Sequence, residues 1–251
     1  MTLDRKVVLV TGGSSGIGKA IALASAGAGA DVALTYRRNR SGGEETAEEI
    51  RRAGRRAEVL QADISRQEDI AALAAALRDR FGRVDVWINN AGADILTGDG
   101  DQLSRMEKLD LLYAVDVRGT ALASWAAVDL MREQGGAGVI INMSWDHVGF
   151  GMAGENPILY SAAKGAVMSF SKSLAREVAP DIRVNILAPG FIETAFGEGA
   201  NERFRRKVAA TTPMRRWGTP DDVAAAAVFL ASDGSNFLTG QMLVVNGGVV
   251  M

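Results

Sequence analysis

Tyr160 and Lys164 are the two residues whose types and spacing most directly indicate chemistry. They stand four positions apart, so on a helix their side chains share one face. A tyrosine hydroxyl can give a proton to the alkoxide that forms when a carbonyl accepts a hydride, and it acts as the base in reverse. The base role needs a tyrosine pKa lowered by about three units from about 10, or about 4 kcal/mol. A nearby lysine ammonium acts in that direction, so the pair predicts acid–base catalysis.

A glycine-rich turn near the start of the chain, Thr11–Gly18, indicates a site for a phosphate group. Glycines let the backbone approach a pyrophosphate closely, and the helix start that follows offers free N–H groups. The spacing is Gly-x3-Gly-x-Gly rather than the usual G-x-G-x-x-G fingerprint, and an ordinary strand–helix turn stays open as the alternative. It is not a P-loop, because no Gly-Lys-Ser/Thr follows. The candidate phosphate-binding residues are Gly12, Ser14, Ser15, Gly16, Ile17 and Gly18.

Short apolar runs alternate with stretches of helical period along the whole chain, which is typical of an α/β fold. The predicted strands are Lys6–Thr11, Asp31–Tyr36, Ala57–Ala62, Val84–Asn89, Gly138–Met143, Ile182–Leu187 and Gln241–Asn246. The predicted helices are Gly16–Gly29, Glu44–Ala53, Arg66–Phe81, Leu103–Met131, Tyr160–Ala179 and Pro220–Ala231. We expect one domain over residues 1–251, with a Rossmann-type, doubly wound parallel sheet of about seven strands and helices on both faces.

Two stretches without a clear element, Trp145–Leu159 and Pro189–Thr212, follow predicted strand ends. Ligands bind at the carboxyl ends of strands in open parallel sheets, so these loops are the expected substrate walls. Their large apolar side chains indicate an apolar lining, although core or lid packing would explain them equally well. These side chains are Trp145, Phe150, Met152, Phe191, Phe196 and Phe204.

Four motifs occur in the order and spacing of the short-chain dehydrogenases/reductases, and the chain resembles that family over nearly its whole length. They are TGGSSGIG at Thr11–Gly18, NNAG at Asn89–Gly92, YSAAK at Tyr160–Lys164, and Pro189–Gly190. Within the family the chain is most similar to the 3-oxoacyl-carrier-protein reductase-like members. The resemblance implies an oxidoreductase that transfers a hydride between NADP(H) and a carbonyl or secondary alcohol. Tyr160 would be the acid/base, and Lys164 would lower its pKa and hold the ribose.

The end of the second predicted strand bears on the choice of nicotinamide cofactor. A site for NAD needs an acidic residue there to hold the ribose 2′-hydroxyl, whereas this chain has Tyr36 followed by Arg37 and Arg38. An arginine can clamp a 2′-phosphate, so NADP(H) is preferred. NAD(H) stays possible if both arginines are solvated loop charges. By resemblance, the further cofactor contacts are Asp63 and Ile64 at the adenine, Asn90, Ala91 and Gly92 along the cofactor, and Pro189, Gly190, Ile192 and Thr194 at the nicotinamide.

One departure from the family concerns the serine that polarises the substrate carbonyl, which stands about a dozen residues before the tyrosine in the family. Counting back thirteen positions from Tyr160 reaches His147, whereas aligning the preceding strand end puts Trp145 in that slot. Ser144 is our first choice as the catalytic donor. Asp146 can serve only when protonated or through water, and His147 can donate directly. For each of the three, a loop residue without a catalytic role is the alternative.

A second departure is Asp116, where the family usually has an asparagine. The asparagine bends its helix so that a main-chain carbonyl binds a relay water to the lysine. A main-chain role survives the change to aspartate, but an amide donor does not. We hypothesise that Asp116 pairs with Lys164 instead and holds it charged.

The composition argues against several other classes of protein. The chain has no Cys and one His, which removes disulfides, thiolate nucleophiles and Cys-ligated metal sites, so no metal is expected. The formal net charge of −2 gives no electrostatic case for nucleic acid. The short apolar run at the N-terminus predicts neither a signal peptide nor a membrane span. The lack of Cys fits a reducing compartment, so we expect a cytoplasmic enzyme acting on a small carbonyl or alcohol.

A second class of function stays open beside the enzyme. The altered serine and asparagine positions would fit a cofactor-binding protein with weak or lost turnover, acting as a scaffold or redox sensor. The intact Tyr160 and Lys164 argue against it. A homotetramer is expected by resemblance, because helices rich in small residues allow close packing between subunits. The apolar end Val249–Met251 would also suit a neighbouring subunit.

Overall fold

The described backbone of this computed structural model contains seven β-strands in a single parallel sheet. It covers residues 1–251, and every side chain except those of Phe196 and Glu198 is described. The strands are β1 Val7–Val10, β2 Asp31–Tyr36, β3 Ala57–Gln61, β4 Val86–Asn89, β5 Gly138–Met143, β6 Ile182–Pro189 and β7 Met242–Val245. Their spatial order is β3-β2-β1-β4-β5-β6-β7. The predicted doubly wound sheet is confirmed.

Helices cover both faces of this sheet. They are α1 Gly16–Gly27, α2 Arg40–Arg52, α3 Gln67–Phe81, α4 Gly98–Asp101, α5 Arg105–Leu112, α6 Thr120–Glu133, α7 Glu155–Val178, α8 Ala195–Gly199, α9 Glu202–Thr211 and α10 Pro220–Ala231. A π-helical segment, Tyr113–Gly119, joins α5 to α6. Among the helices of the described chain, none combines the length and the apolar character that crossing a membrane requires.

The core lies in two apolar layers, because alternate strand residues point to opposite faces of the sheet. Val8 and Ile88 pack in the layer formed with α1, α2 and α10. Leu9 and Trp87 pack in the layer formed with α3, α6 and α7. Both faces are therefore buried, as the uninterrupted apolar strands predict.

The strand order reverses beside β1, which pairs with β2 on one side and with β4 on the other. The connection after β1 runs to one side of the sheet, and the connection after β3 returns to the opposite side. This leaves a crevice at the carboxyl ends of β1 and β4, where open α/β sheets bind their ligands. The fold thus fixes the place of the site before any side chain is considered.

Helix α7 begins at Glu155 rather than at the predicted Tyr160. Pro157 lies in its first turn, where a helix does not use the backbone N–H that proline lacks. The stretch Trp145–Leu159 is therefore not free of elements, since it also contains a 3-10 turn at Asp146–Gly149. The stretch 189–212 likewise holds α8 and α9. Both predictions of irregular loops are corrected.

The long helical region predicted over Leu103–Met131 is confirmed as a continuous run over Arg105–Glu133, which a π-helical segment divides into α5 and α6. A capping box between Ser104 and Glu107 starts α5, and the π-helical segment separates α5 from α6.

Helix α2 begins at Arg40 instead of Glu44. There Gly43 permits close packing, since a Cβ on it would lie 3.0 Å from Val59 Cγ1.

Candidate active site

The glycine-rich turn after β1 has the geometry of a cradle for an anion. Gly12 and Gly16 have φ angles of +68° and +53°, a region that favours glycine. A Cβ on Gly18 would lie 2.1 Å from the Gly12 oxygen, so glycine is needed for α1 to start this close to the turn. Ser15 precedes α1 without a side-chain capping bond, which leaves first-turn N–H groups for a ligand. The turn therefore fits a diphosphate.

Thr11 and Asn90 tie this turn to the carboxyl end of β4. The Thr11 hydroxyl accepts hydrogen bonds from the backbone N–H groups of Asn90 and Ala91, both at 3.0 Å. The Asn90 side chain donates to the carbonyl oxygens of Thr11 at 3.0 Å and Gly12 at 3.2 Å. Two motifs that are distant in sequence thus form one rigid edge of the crevice.

The carboxyl end of β2 forms a cationic corner beside the turn. Tyr36 ends the strand, and the side chains of Arg37 and Arg38 are exposed after it. Asp63 follows β3, where its carboxylate accepts hydrogen bonds from Ser65 N at 3.0 Å and Ser65 Oγ at 2.7 Å. Partial burial opposes ionisation of Asp63, but these bonds and the charge of Arg37 hold its pKa below the usual value. Arg37 and Asp63, both predicted to contact the cofactor, therefore lie near each other.

A cleft of about 510 Å³ opens at the carboxyl ends of β4, β5 and β6. It brings Tyr160 and Lys164 together with eight other predicted site residues: Ile17, Asn90, Gly92, Ser144, Pro189, Gly190, Ile192 and Thr194. Among the described residues that line it, Lys164 is the one with a charged side chain. The cleft therefore suits an uncharged ligand portion.

The rest of the cleft wall is mainly apolar. The predicted lining residues Trp145, Met152, Phe191 and Phe204 all contribute to it. Phe150 does not, and its side chain is 59% exposed. Phe196 was also expected here, but its side chain lies outside the described part of the chain. Further lining comes from Ile95, Leu96, Met143, Asn156 and Pro157.

Tyr160 and Lys164 lie one turn apart on α7, with Lys164 Nζ 5.5 Å from the centre of the Tyr160 ring. Lys164 is only 4% exposed, and its Nζ lies 2.5 Å from Asp116 Oδ1. It also donates a hydrogen bond to the Met143 carbonyl at 3.2 Å. Burial opposes the charge on Lys164, but Asp116 and Tyr160 outweigh it and raise the pKa of Lys164 to about 12. The lysine is a fixed ammonium beside the tyrosine.

The pKa of Tyr160 lies above its ordinary value in this structure. Burial is the main cause of the increase. The charge of Lys164 lowers the pKa as predicted, but the carboxylates of Asp116 and Asp94 raise it. Tyr160 therefore holds its proton at neutral pH.

Asp116 reaches Lys164 because it lies in the π-helical segment, whose wider turn displaces side chains from their α-helical positions. It is fully buried, and its Oδ2 accepts a hydrogen bond from Ala93 N at 2.9 Å. At the end of the segment, a Cβ on Gly119 would lie 2.7 Å from the Ile64 oxygen. The segment therefore also packs closely against Ile64, which is predicted to contact the adenine. The hypothesised pairing of Asp116 with Lys164 is confirmed.

The structure separates the three open candidates for the carbonyl-polarising donor. Ser144 lines the cleft, but its Oγ donates a hydrogen bond to the Lys164 carbonyl at 2.9 Å. Asp146 is fully buried, with its carboxylate 2.7 Å from His147 Nδ1 and 3.1 Å from Asn246 Nδ2. Of the described residues that line the cleft, none is Asp146 or His147. These two lie behind the wall rather than on it.

Trp145 forms the wall at the place where the strand alignment expects a serine. Its ring stacks on His147, with ring centres 4.9 Å apart and an interplanar angle of 25°. It also meets the Tyr160 ring edge-on, with centres 5.5 Å apart. The Asp146–His147 pair thus supports the indole that contacts Tyr160.

Sequence reasoning missed Asn156, a polar side chain on the same helix face as Tyr160. The prediction of a loop over Trp145–Leu159 places Asn156 outside any helix. The signal that could have found it is its spacing, since Asn156, Tyr160 and Lys164 are separated by four positions each. This is the spacing of side chains that share a helix face.

Comparison with known proteins identifies the class to which this fold and site belong. Residues 12–250 match a family model described as Enoyl-(Acyl carrier protein) reductase. The chain belongs to the short-chain dehydrogenase/reductase family of oxidoreductases. Membership implies a nicotinamide cofactor. Within the described residues, no group of three or more His, Cys, Asp or Glu side chains could hold a metal ion.

The similar proteins match over their full length. An uncharacterised oxidoreductase of Mycobacterium tuberculosis is 43% identical over 98% of this chain and 93% of its own. The 3beta-hydroxysteroid dehydrogenase 1 of Eggerthella lenta is 36% identical, with coverage of 99% and 95%. A solved short-chain type dehydrogenase/reductase from Mycobacterium marinum has a TM-score of 0.91 at 30% identity, with coverage of 99% and 97%.

Proposed function

We propose that this oxidoreductase interconverts an uncharged, largely apolar ketone and its secondary alcohol, with NADP(H) as the hydride carrier. The observation that carries the proposal is Tyr160, which lines the cleft beside a lysine ammonium fixed by Asp116 and Met143. The mainly apolar cleft wall, in which Lys164 is paired with Asp116, favours a hydrocarbon-rich substrate. Such a wall would suit a hydroxysteroid, as named in the relative 3beta-hydroxysteroid dehydrogenase 1, better than glucose, as named in the relative Glucose 1-dehydrogenase 2.

Tyr160 acts as the acid and base in this proposal. A nicotinamide held in the cleft would supply the hydride for the carbonyl carbon in reduction and would accept it in oxidation. As the carbonyl oxygen gains negative charge, the Tyr160 hydroxyl gives it a proton. The phenolate that remains is stabilised by the Lys164 ammonium until solvent returns the proton. In oxidation, the same phenolate removes the proton of the alcohol.

The raised pKa of Tyr160 gives the two directions different pH requirements. Reduction needs the protonated hydroxyl, which is present at neutral pH. Oxidation needs the phenolate, which becomes abundant only as the pH rises towards the tyrosine pKa. We therefore expect the rate of oxidation to rise with pH towards the tyrosine pKa, whereas reduction proceeds at neutral pH.

NADP(H) is supported over NAD(H) by the cationic corner after β2. No carboxylate stands at Tyr36 to repel a 2′-phosphate, and Arg37 and Arg38 follow directly. The start of α2 packs directly against the phosphate turn, since a Cβ on Gly42 would lie 2.5 Å from the Ser14 oxygen. The residues that would hold the cofactor are Gly12, Ser14, Ser15, Gly16, Ile17, Gly18, Tyr36, Arg37, Arg38, Asp63, Ile64, Asn90, Ala91, Gly92, Tyr160, Lys164, Pro189, Gly190, Ile192 and Thr194.

The cofactor assignment is tested with the double substitution Arg37→Ala and Arg38→Ala. A charge-assisted hydrogen bond contributes about 1.5–3 kcal/mol, so kcat/KM for NADPH should fall by about tenfold or more, with the value for NADH unchanged. Arg52→Ala, at the other end of α2, is the matched control. An equal loss for both cofactors would overturn the preference.

The catalytic assignment is tested by NADPH oxidation against a panel of apolar ketones. Tyr160→Phe removes the proton donor, and general acid catalysis typically contributes about 100-fold to 10,000-fold. NADPH affinity, read from its fluorescence, reports that the variant is folded. Equal rates for both proteins would exclude the proposal.

A second candidate is the cofactor-binding scaffold or redox sensor with little turnover. It is favoured by one observation, that the Ser144 proton is engaged by the Lys164 carbonyl. If this second function is correct, the chain binds NADPH, but no ketone in the panel causes NADPH to be oxidised. The panel above therefore distinguishes the two functions directly.

We also propose a homotetramer. Trp125 on α6 is 52% exposed although it packs edge-on against Phe170 of α7, with ring centres 5.8 Å apart. At the far edge of the sheet, each residue of β7 is only partly buried. Such apolar surfaces are typical of subunit interfaces. The cytoplasmic location expected from the sequence stays a prediction.

A further inference from the structure

Asn156 lies on the cleft wall one turn before Tyr160 on α7. Long side chains on a helix lean towards its N-terminus, so the Tyr160 hydroxyl leans towards the turn that carries Asn156. Lys164 follows one turn later. The three polar side chains of this helix face therefore meet the ligand in succession.

A buried lysine fixes the orientation of the Asn156 amide. Lys108 of α5 is only 6% exposed, and its Nζ donates to Asn156 Oδ1 at 3.3 Å. Its nearest carboxylate oxygen, Asp101 Oδ1, is 4.0 Å away. An ammonium has donors and no acceptor, so the amide must present its oxygen to Lys108 and keep its NH₂ group on the other side. Among the described residues, none accepts a hydrogen bond from that NH₂ group.

The Asn156 side chain is partly exposed in the cleft wall, so its NH₂ group is open to a hydrogen-bond acceptor on a bound ligand. The cleft wall that carries Asn156 also includes Ile95, Leu96, Met152 and Pro157. The donor expected from the family pattern, Ser144, already donates its hydrogen bond to the Lys164 carbonyl. The oxygen of a bound ketone would therefore receive a hydrogen bond from Tyr160 but none from Ser144.

We propose that Asn156 supplies a second donor: its Nδ2 hydrogen-bonds the oxygen that Tyr160 protonates, and Lys108 is the positioning residue that orients the amide. This rests on the proposed function and adds a catalytic residue to it. The amide polarises the carbonyl and stabilises the charge that develops on its oxygen during hydride transfer. No proton leaves the amide, so the reaction balances as before.

Asn156→Asp is the most direct test, because the carboxylate keeps the side-chain shape and an acceptor for Lys108 but loses the donor. Removal of one oxyanion donor typically lowers kcat about 100-fold to 1,000-fold, and we expect a loss of that order on every ketone that is turned over. NADPH affinity should not change. The gap to wild type should narrow as the pH falls, because a protonated carboxyl is a donor again.

Lys108→Met should lower kcat less than Asn156→Asp, because the donor remains but is no longer oriented. Lys108→Gln, which keeps an N–H donor, should restore part of the loss. The matched control is Lys172→Met, an exposed lysine on α7, which should match wild type. If wild type reduces ketones and Asn156→Asp retains its kcat, the inference fails while the proposed function stands. If wild type reduces none, it is the proposed function that fails.

Discussion

The ion pair between Asp116 and Lys164 places two opposite charges beside one tyrosine hydroxyl. Lys164 alone would lower the pKa of Tyr160, but Asp116 cancels part of that effect. Together with burial, which is the main cause of the raised Tyr160 pKa, this arrangement keeps the tyrosine protonated and the lysine charged, which suits proton donation. At the residue scale, an aspartate in place of the usual asparagine therefore changes the electrostatic environment of Tyr160 but leaves the Tyr160–Lys164 pair in place.

Asp116→Asn should shift the pH profile of alcohol oxidation towards lower pH. Removing the carboxylate removes an influence that raises the pKa of Tyr160, so the phenolate forms at a lower pH. The measurement is kcat/KM for oxidation as a function of pH. Asp129→Asn, an exposed position on α6, is the control for a general charge effect. An unmoved profile would mean that Asp116 does not set the tyrosine pKa.

At the scale of elements, α10 illustrates how local sequence signals specify a helix. Thr219 and Asp222 form a capping box at its start, and Pro220 occupies the first turn. Arg216 and Thr219 hold the pKa of Asp222 well below its usual value. The stabilisation from that carboxylate is therefore present at neutral pH and is lost as the pH falls into the strongly acidic range.

Thr219→Ala should destabilise the fold by about 1 kcal/mol, the usual effect of losing a helix N-cap. For a chain of this size that corresponds to a decrease of about 2–4 °C in Tm. Ser173→Ala, an exposed position within α7, provides the control and should not lower Tm. Equal Tm values for Thr219→Ala and wild type would show that the box contributes nothing measurable.

The elements with strong local signals were predictable, and those set by tertiary contacts were not. β2, β5 and α10 have the predicted bounds, because their apolar runs and caps are local. The π-helical segment has no local signature, since its shape follows from packing on Ile64 and Lys164. Pro157 reads as a helix breaker in the sequence, and only its place in the first turn of α7 makes it acceptable.

The candidate site divides in the same way. The pair Tyr160–Lys164 and the glycine-rich turn follow from spacing alone. Spacing does not show which neighbour of Tyr160 has a hydrogen-bond donor free for a ligand. That depends on the partner to which each side chain is already bonded, and these partners are known only from the fold. Ser144 donates its hydrogen bond to the Lys164 carbonyl, whereas the NH₂ group of Asn156 remains available because Lys108 donates to the amide oxygen.

At the scale of the whole molecule, we predict a homotetramer built through α6, α7 and the β7 edge. Light scattering should give four times the 26.5 kDa mass of one chain. Trp125→Glu, which puts a charge on the exposed α6 surface, should reduce that mass. A wild-type mass equal to a single chain at micromolar concentration would contradict the assembly.

The central claim is hydride transfer between NADP(H) and a carbonyl carbon with Tyr160 as the proton donor. The most direct measurement uses NADPH deuterated at both C4 positions, an apolar ketone that wild type reduces, and mass spectrometry of the alcohol product. We predict one deuterium on the carbinol carbon with wild type, and at least about 100-fold less deuterated product per unit time with Tyr160→Phe. NADPH that binds tightly but transfers no deuterium to any ketone would contradict the account.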